Sequence, residues 1–194
     1  MNEFSDRQKQ IISTSMELIA DKGIQGFTIR NLSGEIGISE PAIYRHFDSK
    51  VDILLAILSY FKEDSLLSLE KILSSDGSAI GQLKSFFLGN FQRFKKEPDL
   101  SSVIFSEEIF QDDKRLSEEI FSIMTMNRKA ISEIVERGQK LKEIRQDISN
   151  EHLSIIIVGT LRLIIKNWRL SGFPFDLEKE GTDIWNSLEK LLKG

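Results

Sequence analysis

Apolar positions recur every three to four residues along almost the whole chain, and no stretch alternates apolar and polar residues as a strand does. This period predicts an all-α fold. A first helix is expected over about Asp6–Lys22, where Ile11, Ile12, Ser15, Met16, Leu18 and Ile19 share an arc of roughly 160°. Gly23 should end it and Gly26 turn the chain again. Three short helical segments follow between about Thr28 and Lys50, then a long helix over Val51–Ser74 closed by the loop Ser75-Asp76-Gly77-Ser78. A phenylalanine-rich helix, Ala79–Lys96, stops at Pro98; a short helix covers about Leu100–Phe110, and Asp112-Asp113 breaks the chain. Long helices over about Leu116–Gly138, Glu151–Ser171 and Leu177–Lys193 complete a set of about nine.

The stretch from Thr28 to Phe47 has a more specific grammar. Thr28 is a good N-cap, and Ile29, Leu32 and Ile36 form an inward stripe. Gly37 can take the left-handed conformation of a tight inter-helix turn. Ser39 then caps a second helix, with Pro41 in its first turn, where a missing N–H costs little. Two short helices about a glycine turn make a helix-turn-helix. On a wheel of about 100° per residue, Ile43 and Phe47 face the core. Pro41, Ala42 and Arg45 face away, with Tyr44 and His46 on the flanks. In a major groove this sets Arg45 over base edges, the bidentate partner of guanine, and Tyr44 and His46 toward the phosphate walls. Ser49-Lys50-Val51-Asp52 opens the next helix as a capping box, whose amides and Lys50 suit one phosphate.

Charge complicates that reading. The chain carries 26 Lys/Arg against 30 Asp/Glu, a net −4. Residues 1–50 hold six basic against seven acidic side chains, so bulk attraction to DNA is lacking and geometry must carry recognition. Hydroxyl, imidazole and backbone donors contact phosphate without net charge. With no cysteine, disulfides and thiolate metal sites are excluded, and His46 and His152 lie far apart, so no metal or other cofactor is expected. The acidic start Met1-Asn2-Glu3-Phe4-Ser5-Asp6 is no secretory signal. The most apolar stretch, Leu153–Ile165, is too short to span a bilayer and contains Arg162, so a cytoplasmic, membrane-free protein is expected.

Gly26-Phe27-Thr28, followed by Ile43-Tyr44-Arg45-His46-Phe47-Asp48-Ser49-Lys50 and Leu54-Leu55, closely resembles the DNA-binding signature of the TetR family of transcriptional regulators. The resemblance implies a helix-turn-helix domain over residues 1–50 and a helical effector-binding and dimerisation domain over 51–194. It also implies a homodimer on a palindromic double-stranded operator, usually a repressor, released by a small-molecule effector. It assigns phosphate contacts to Thr28, Tyr44, His46 and Lys50, and base contacts to Glu40, Pro41, Ala42 and Arg45; Ser39 and Arg30 complete the expected interface. Glu40 departs from the small or basic residue of many relatives. It either accepts from a cytosine amino group or complements the helix N-terminus.

The remaining residues leave alternatives open. Phe87, Asn90, Phe91, Phe94, Phe105, Phe121, Met124 and Trp168 either line a largely apolar effector pocket or pack as core. Ile156, Thr160, Leu161 and Ile164, with Ile184, Leu188 and Leu191, form two apolar helix faces. The resemblance makes them half of an intersubunit four-helix bundle. A protein partner in place of the small effector is the nearest rival. An enzyme is not expected, because no paired-carboxylate, nucleophile–base or phosphate-cradling motif occurs; Glu107-Glu108 and Asp112-Asp113 read as solvated positions.

Overall fold

The computed structural model describes residues 4–111 and 113–193, so Met1–Glu3 and the Asp112 half of the expected break lie outside the described residues. It is all-helical, with no strand among the described residues. In order come α1 (Asp6–Gly26), α2 (Ile29–Ile36), α3 (Glu40–Tyr44), α4 (Lys50–Leu73), α5 (Ala79–Lys96), α6 (Pro98–Ile104), a 3-10 turn at Glu108–Phe110, α7 (Lys114–Lys140), α8 (Asn150–Leu170) and α9 (Leu177–Lys193). No helix among the described residues is long and apolar enough to cross a membrane.

Each boundary has a local cause. Ser5 caps α1 by accepting from the Gln8 amide, while the Gln8 side chain accepts from the Ser5 N–H, so both amides at this end are satisfied. Gly23 does not end α1 as expected. It kinks it at φ 68°, and one further turn runs on to Gly26. Between Thr28 and Lys50 two helices form, not three, because Arg45–Ser49 turns without closing another helix. Pro98 opens α6 as well as ending α5, since its fixed φ suits a first helical position.

The chain divides into two compact units, residues 4–63 with 99–122, and residues 64–98 with 123–193. Helices α4 and α7 each contribute to both. In the first unit α1 packs on α2 and α2 on α3, around Ile11, Ile12, Phe27, Leu32, Ile43, Ile53 and Ile57, all fully buried. In the second, α5 lies against α8 and α9, and Leu83, Phe87, Phe91, Ile131, Ile157, Ile165 and Trp185 are fully buried. Arg145 joins ends there: its backbone N–H donates to the Leu192 carbonyl at 2.8 Å and its guanidinium to that of Leu191 at 3.3 Å. A cation thereby meets the negative end of α9.

Candidate nucleic-acid interface

Helix α2 begins as the sequence predicts. Thr28 is extended, and its hydroxyl oxygen accepts from the Asn31 N–H at 3.1 Å, so its own proton is left to donate outward. Gly37 adopts φ 76°, ψ 34°, and its N–H and that of Ile38 both donate to the Ser33 carbonyl at 2.9 and 3.0 Å. A side chain at that φ is disfavoured, which is why the turn between the two short helices needs glycine.

Helix α3 is only one turn and a half, Glu40–Tyr44, with Pro41 in its first turn. Ser39 has the extended backbone of an N-cap but makes no side-chain cap bond, contrary to expectation, so its exposed hydroxyl is not spent on the helix. Ile43 is fully buried and Phe47 nearly so. Arg45 continues the right-handed backbone at the C-cap, which carries the helical side-chain spacing past the last hydrogen-bonded turn. Glu40, Pro41, Tyr44 and Arg45 are exposed, Ala42 and His46 half-buried, as the wheel requires. Tyr44 is 48% exposed, a large apolar ring held in solvent while its neighbour Ile43 anchors the helix. Arg30 stands exposed on α2.

Two anchors escaped sequence reasoning. The Gln8 side chain donates to the His46 carbonyl at 3.4 Å, tying the start of α1 to the turn after α3. The Lys50 ammonium lies 5.4 Å from the centroid of the buried Phe27 ring, so a cation–π contact holds it at the start of α4. Both join residues far apart in the chain, and no local pattern announces them. At the same helix start, the Ser49 hydroxyl accepts from the Asp52 N–H at 3.2 Å and donates to the Asp52 carboxylate at 2.6 Å.

The local charge pattern differs from the total. Lys22 is paired with Glu35 at 2.8 Å, whose hydrogen bond and charge hold the lysine above its ordinary pKa, and Lys9 lies 3.8 Å from Asp6. Arg30, Arg45 and Lys50 have no ion pair among the described residues, and their charge stays available.

The expected effector-pocket residues divide between the two units. Phe87, Phe91, Phe94 and Trp168 are buried core, Phe87 meeting Phe91 edge-on at 5.0 Å and Trp185 at 5.6 Å. The Trp168 indole N–H is used structurally, on the Phe175 carbonyl at 3.0 Å. Met124 is exposed. Phe105 and Phe121 belong to the first unit, the former buried and the latter 68% exposed. Asn90 lines a small cleft of about 50 Å³ in the second unit.

The expected dimer residues split in two. Ile156 and Leu191 are exposed, and Thr160, Ile164 and Ile184 half-exposed, whereas Leu161 and Leu188 point inward and pack within the chain. Ile155 and Leu163, at 52% and 60% exposed, take their place on the outer face.

Family comparisons agree with this architecture. The model of the tetR family of bacterial regulatory proteins matches residues 11–57, and that of the YsiA-like protein C-terminal region matches residues 66–191. The chain is 24% identical to the HTH-type transcriptional regulator YerO of Bacillus subtilis over 98% of its own length, spanning 66% of that protein. It is 19% identical to the nucleoid occlusion factor SlmA of Vibrio cholerae, covering 99% of this chain and 98% of SlmA. The crystal structure of the transcriptional regulator FadR from Bacillus subtilis in complex with stearoyl-CoA has the same fold, with a TM-score of 0.78 at 21% identity over 95% of this chain and 98% of FadR. The chain belongs to the TetR family of transcriptional regulators.

Proposed function

We propose that this regulator is a cytoplasmic, non-catalytic homodimeric repressor that holds a palindromic operator and is released by a small effector with a substantial apolar part. The observation that carries the DNA reading is the exposed Tyr44–Arg45 pair on a helix anchored from behind by Ile43 and Phe47. Arg45 reads a guanine edge, Pro41 and Ala42 allow close approach, and Glu40 meets a cytosine amino group or complements its own helix end. Thr28, Arg30, Ser39, Tyr44, His46 and Lys50 hold the sugar-phosphate rails. An acyl thioester is the favoured class of effector, because the FadR structure of the same fold is described with stearoyl-CoA.

Dimerisation is supported by the outer face of α8. Ile155, Ile156 and Leu163 lie there in solvent beside Gly159, where an added Cβ would meet nothing within 4 Å. Isologous pairing of this face, with Ile184 and Leu191 of α9, hides it. Release follows from α4, which has 24 residues, about 36 Å at 1.5 Å each, and begins at Lys50 beside the reading head. Half-sites lie about 34–36 Å apart, so an effector that tilts α4 by a few ångströms misplaces one head. It does so only by binding the tilted state more tightly.

Selection of bound DNA from a random pool tests the reading. A two-fold symmetric consensus is expected, and Arg45→Ala should relax one position in each half-site by about 1–3 kcal/mol. Enrichment of an asymmetric site, or of none, overturns it. The closed packing of Phe87, Phe91 and Phe94 favours a second reading, in which a protein partner controls the DNA-bound state. SlmA, similar over nearly the whole chain, bears the name of a nucleoid occlusion factor. Release of operator by an acyl thioester in a purified system separates the two.

A further inference from the structure

The outer face of α8 carries charge as well as apolar surface, and its charges are sorted by end. With Gly159 as the centre, Ile155 and Leu163 lie about 40° to either side and Ile156 about 60°, at roughly 100° per residue. All three are exposed. Glu151 and Arg169 lie 18 residues apart, which is five whole turns, so both stand on one edge, about 80° from that centre. Glu151 comes eight residues before Gly159 and Arg169 ten after it. This edge is acidic at one end and basic at the other.

Neither end is balanced within the chain. Arg169 is half-buried, and burial pulls its guanidinium below the ordinary arginine range. It has no ion pair among the described residues, and a cation withdrawn from water without a counter-ion is costly. Glu151 borders an open groove of about 390 Å³ along α7, which Glu133 and Glu136 also line. Glu136 is paired with Lys140 at 2.6 Å, whereas Glu133 and Glu151 have no ion pair among the described residues. Arg128 and Lys129 line the same groove, a turn or more before Glu133 on α7.

Two-fold symmetry limits how two such faces meet. In a parallel pair the axis runs along the helices, and every residue lies level with its own twin, Arg169 with Arg169. In an antiparallel pair the axis crosses both helices at the midpoint, exchanging their ends while keeping each edge on its own side. Glu151 then lies within about two residues, or about 3 Å along the helix, of the level of the partner's Arg169. On the other edge Leu163 meets the partner's Ile156. We propose that two copies pair antiparallel through α8, centred on Gly159, so that Arg169 of each subunit completes the acidic groove of the other. Lys166, one turn earlier on α8, brings a second cation to the same end. The inference rests on the homodimer reading given above and adds its direction and register.

Sedimentation equilibrium of the full chain gives the dimer dissociation constant for the native protein and four variants. Arg169→Glu and Glu151→Arg should each weaken the dimer at least tenfold by setting like charges together. The double variant Arg169→Glu with Glu151→Arg should recover to within threefold of native, because opposite charges meet again. Arg169→Gln keeps the reach without the charge and should fall between native and Arg169→Glu. Melting temperatures at low concentration confirm that each chain folds. Direction is read separately, since the chain has no cysteine and introduced thiols report alone. On mild oxidation a mixture of Ile156→Cys and Leu163→Cys chains should form the mixed disulfide in preference to either self-linked pair. A native-strength Arg169→Glu dimer, a double variant as weak as the sum of its parts, or predominant self-linking of Leu163→Cys overturns the antiparallel register and leaves the homodimer standing. A native chain that stays monomeric at every concentration overturns both.

Discussion

Replacing Leu163 by serine isolates the proposed subunit interface from the fold of the single chain. Leu163 is 60% exposed on α8, so the isolated chain loses little when it is trimmed. Complete burial of a leucine side chain is worth about 1.5–3 kcal/mol. Pairing this face hides the 60% still in water, roughly 1–2 kcal/mol per copy and about 2–4 kcal/mol per dimer, since two-fold symmetry counts each change twice. At 1.4 kcal/mol per decade the dimer dissociation constant should rise about 30- to 700-fold. Sedimentation equilibrium over a concentration series reads this directly, and operator binding should weaken in parallel, because a single reading head holds half the contacts. Leu67→Ser is the control: Leu67 is 66% exposed on α4, outside the proposed interface, and its loss should leave the dimer constant unchanged. A folded Leu163→Ser variant that dimerises as the native chain does would refute the assignment of α8 to the interface.

Two further outcomes are expected. Asp99, on α6, is held above the ordinary carboxylate range, first by burial and then by the charge of Glu17. Its folded pKa exceeds the unfolded one, so ionised Asp99 opposes folding at neutral pH and ceases to below pH about 3.9. Asp99→Asn should therefore raise the melting temperature at pH 7, with the gain shrinking as pH falls through that range; equal gain at both ends would contradict the argument. On the proposed reading of operator binding, Arg30 and Lys50 give two cations to phosphates per half-site and four per dimer. The slope of log affinity against log salt should then be about −4, at about 0.9 per contact, and a value near −10 would show cations that the interface does not contain.

Much of the first unit was legible because its determinants are local. A threonine cap, a glycine at a required positive φ and a proline in a first turn act within a few residues, so Thr28, Gly37 and Pro41 stand where periodicity and turn chemistry put them. The Gly23 kink was half legible: glycine marked the break, but local pattern does not tell a terminus from a bend followed by one more turn. The helical faces of the second unit were the least legible. Helix α8 carries apolar residues around most of its circumference, so the 3.6-residue period cannot choose which of them face inward. The chain chose Leu161 and Ile165, leaving Ile155 and Leu163 outside. The phenylalanines suffered the same ambiguity, for a stripe of rings along α5 suits a pocket wall and a core equally until the helices packed on it are known. They pack as core.

The net charge of −4 stands as the main objection to a DNA-binding role, and the structure changes what that number means. Salt screens separated charges over about 8–10 Å, so a phosphate responds to the side chains of the reading head far more than to the acidic total. Several acidic side chains are also already occupied: Glu35 by Lys22, Asp52 by the Ser49 hydroxyl and Arg115, Asp176 by Lys95 and the amides that open α9. Arg30, Arg45 and Lys50 have no such acidic partner among the described residues. On the proposed reading, such a protein has little general attraction to DNA and gains its affinity at the few sequences where Arg45 of each subunit finds its base. Weak non-specific binding is then part of its selectivity, because fewer competing sites along the genome hold it away from the operator.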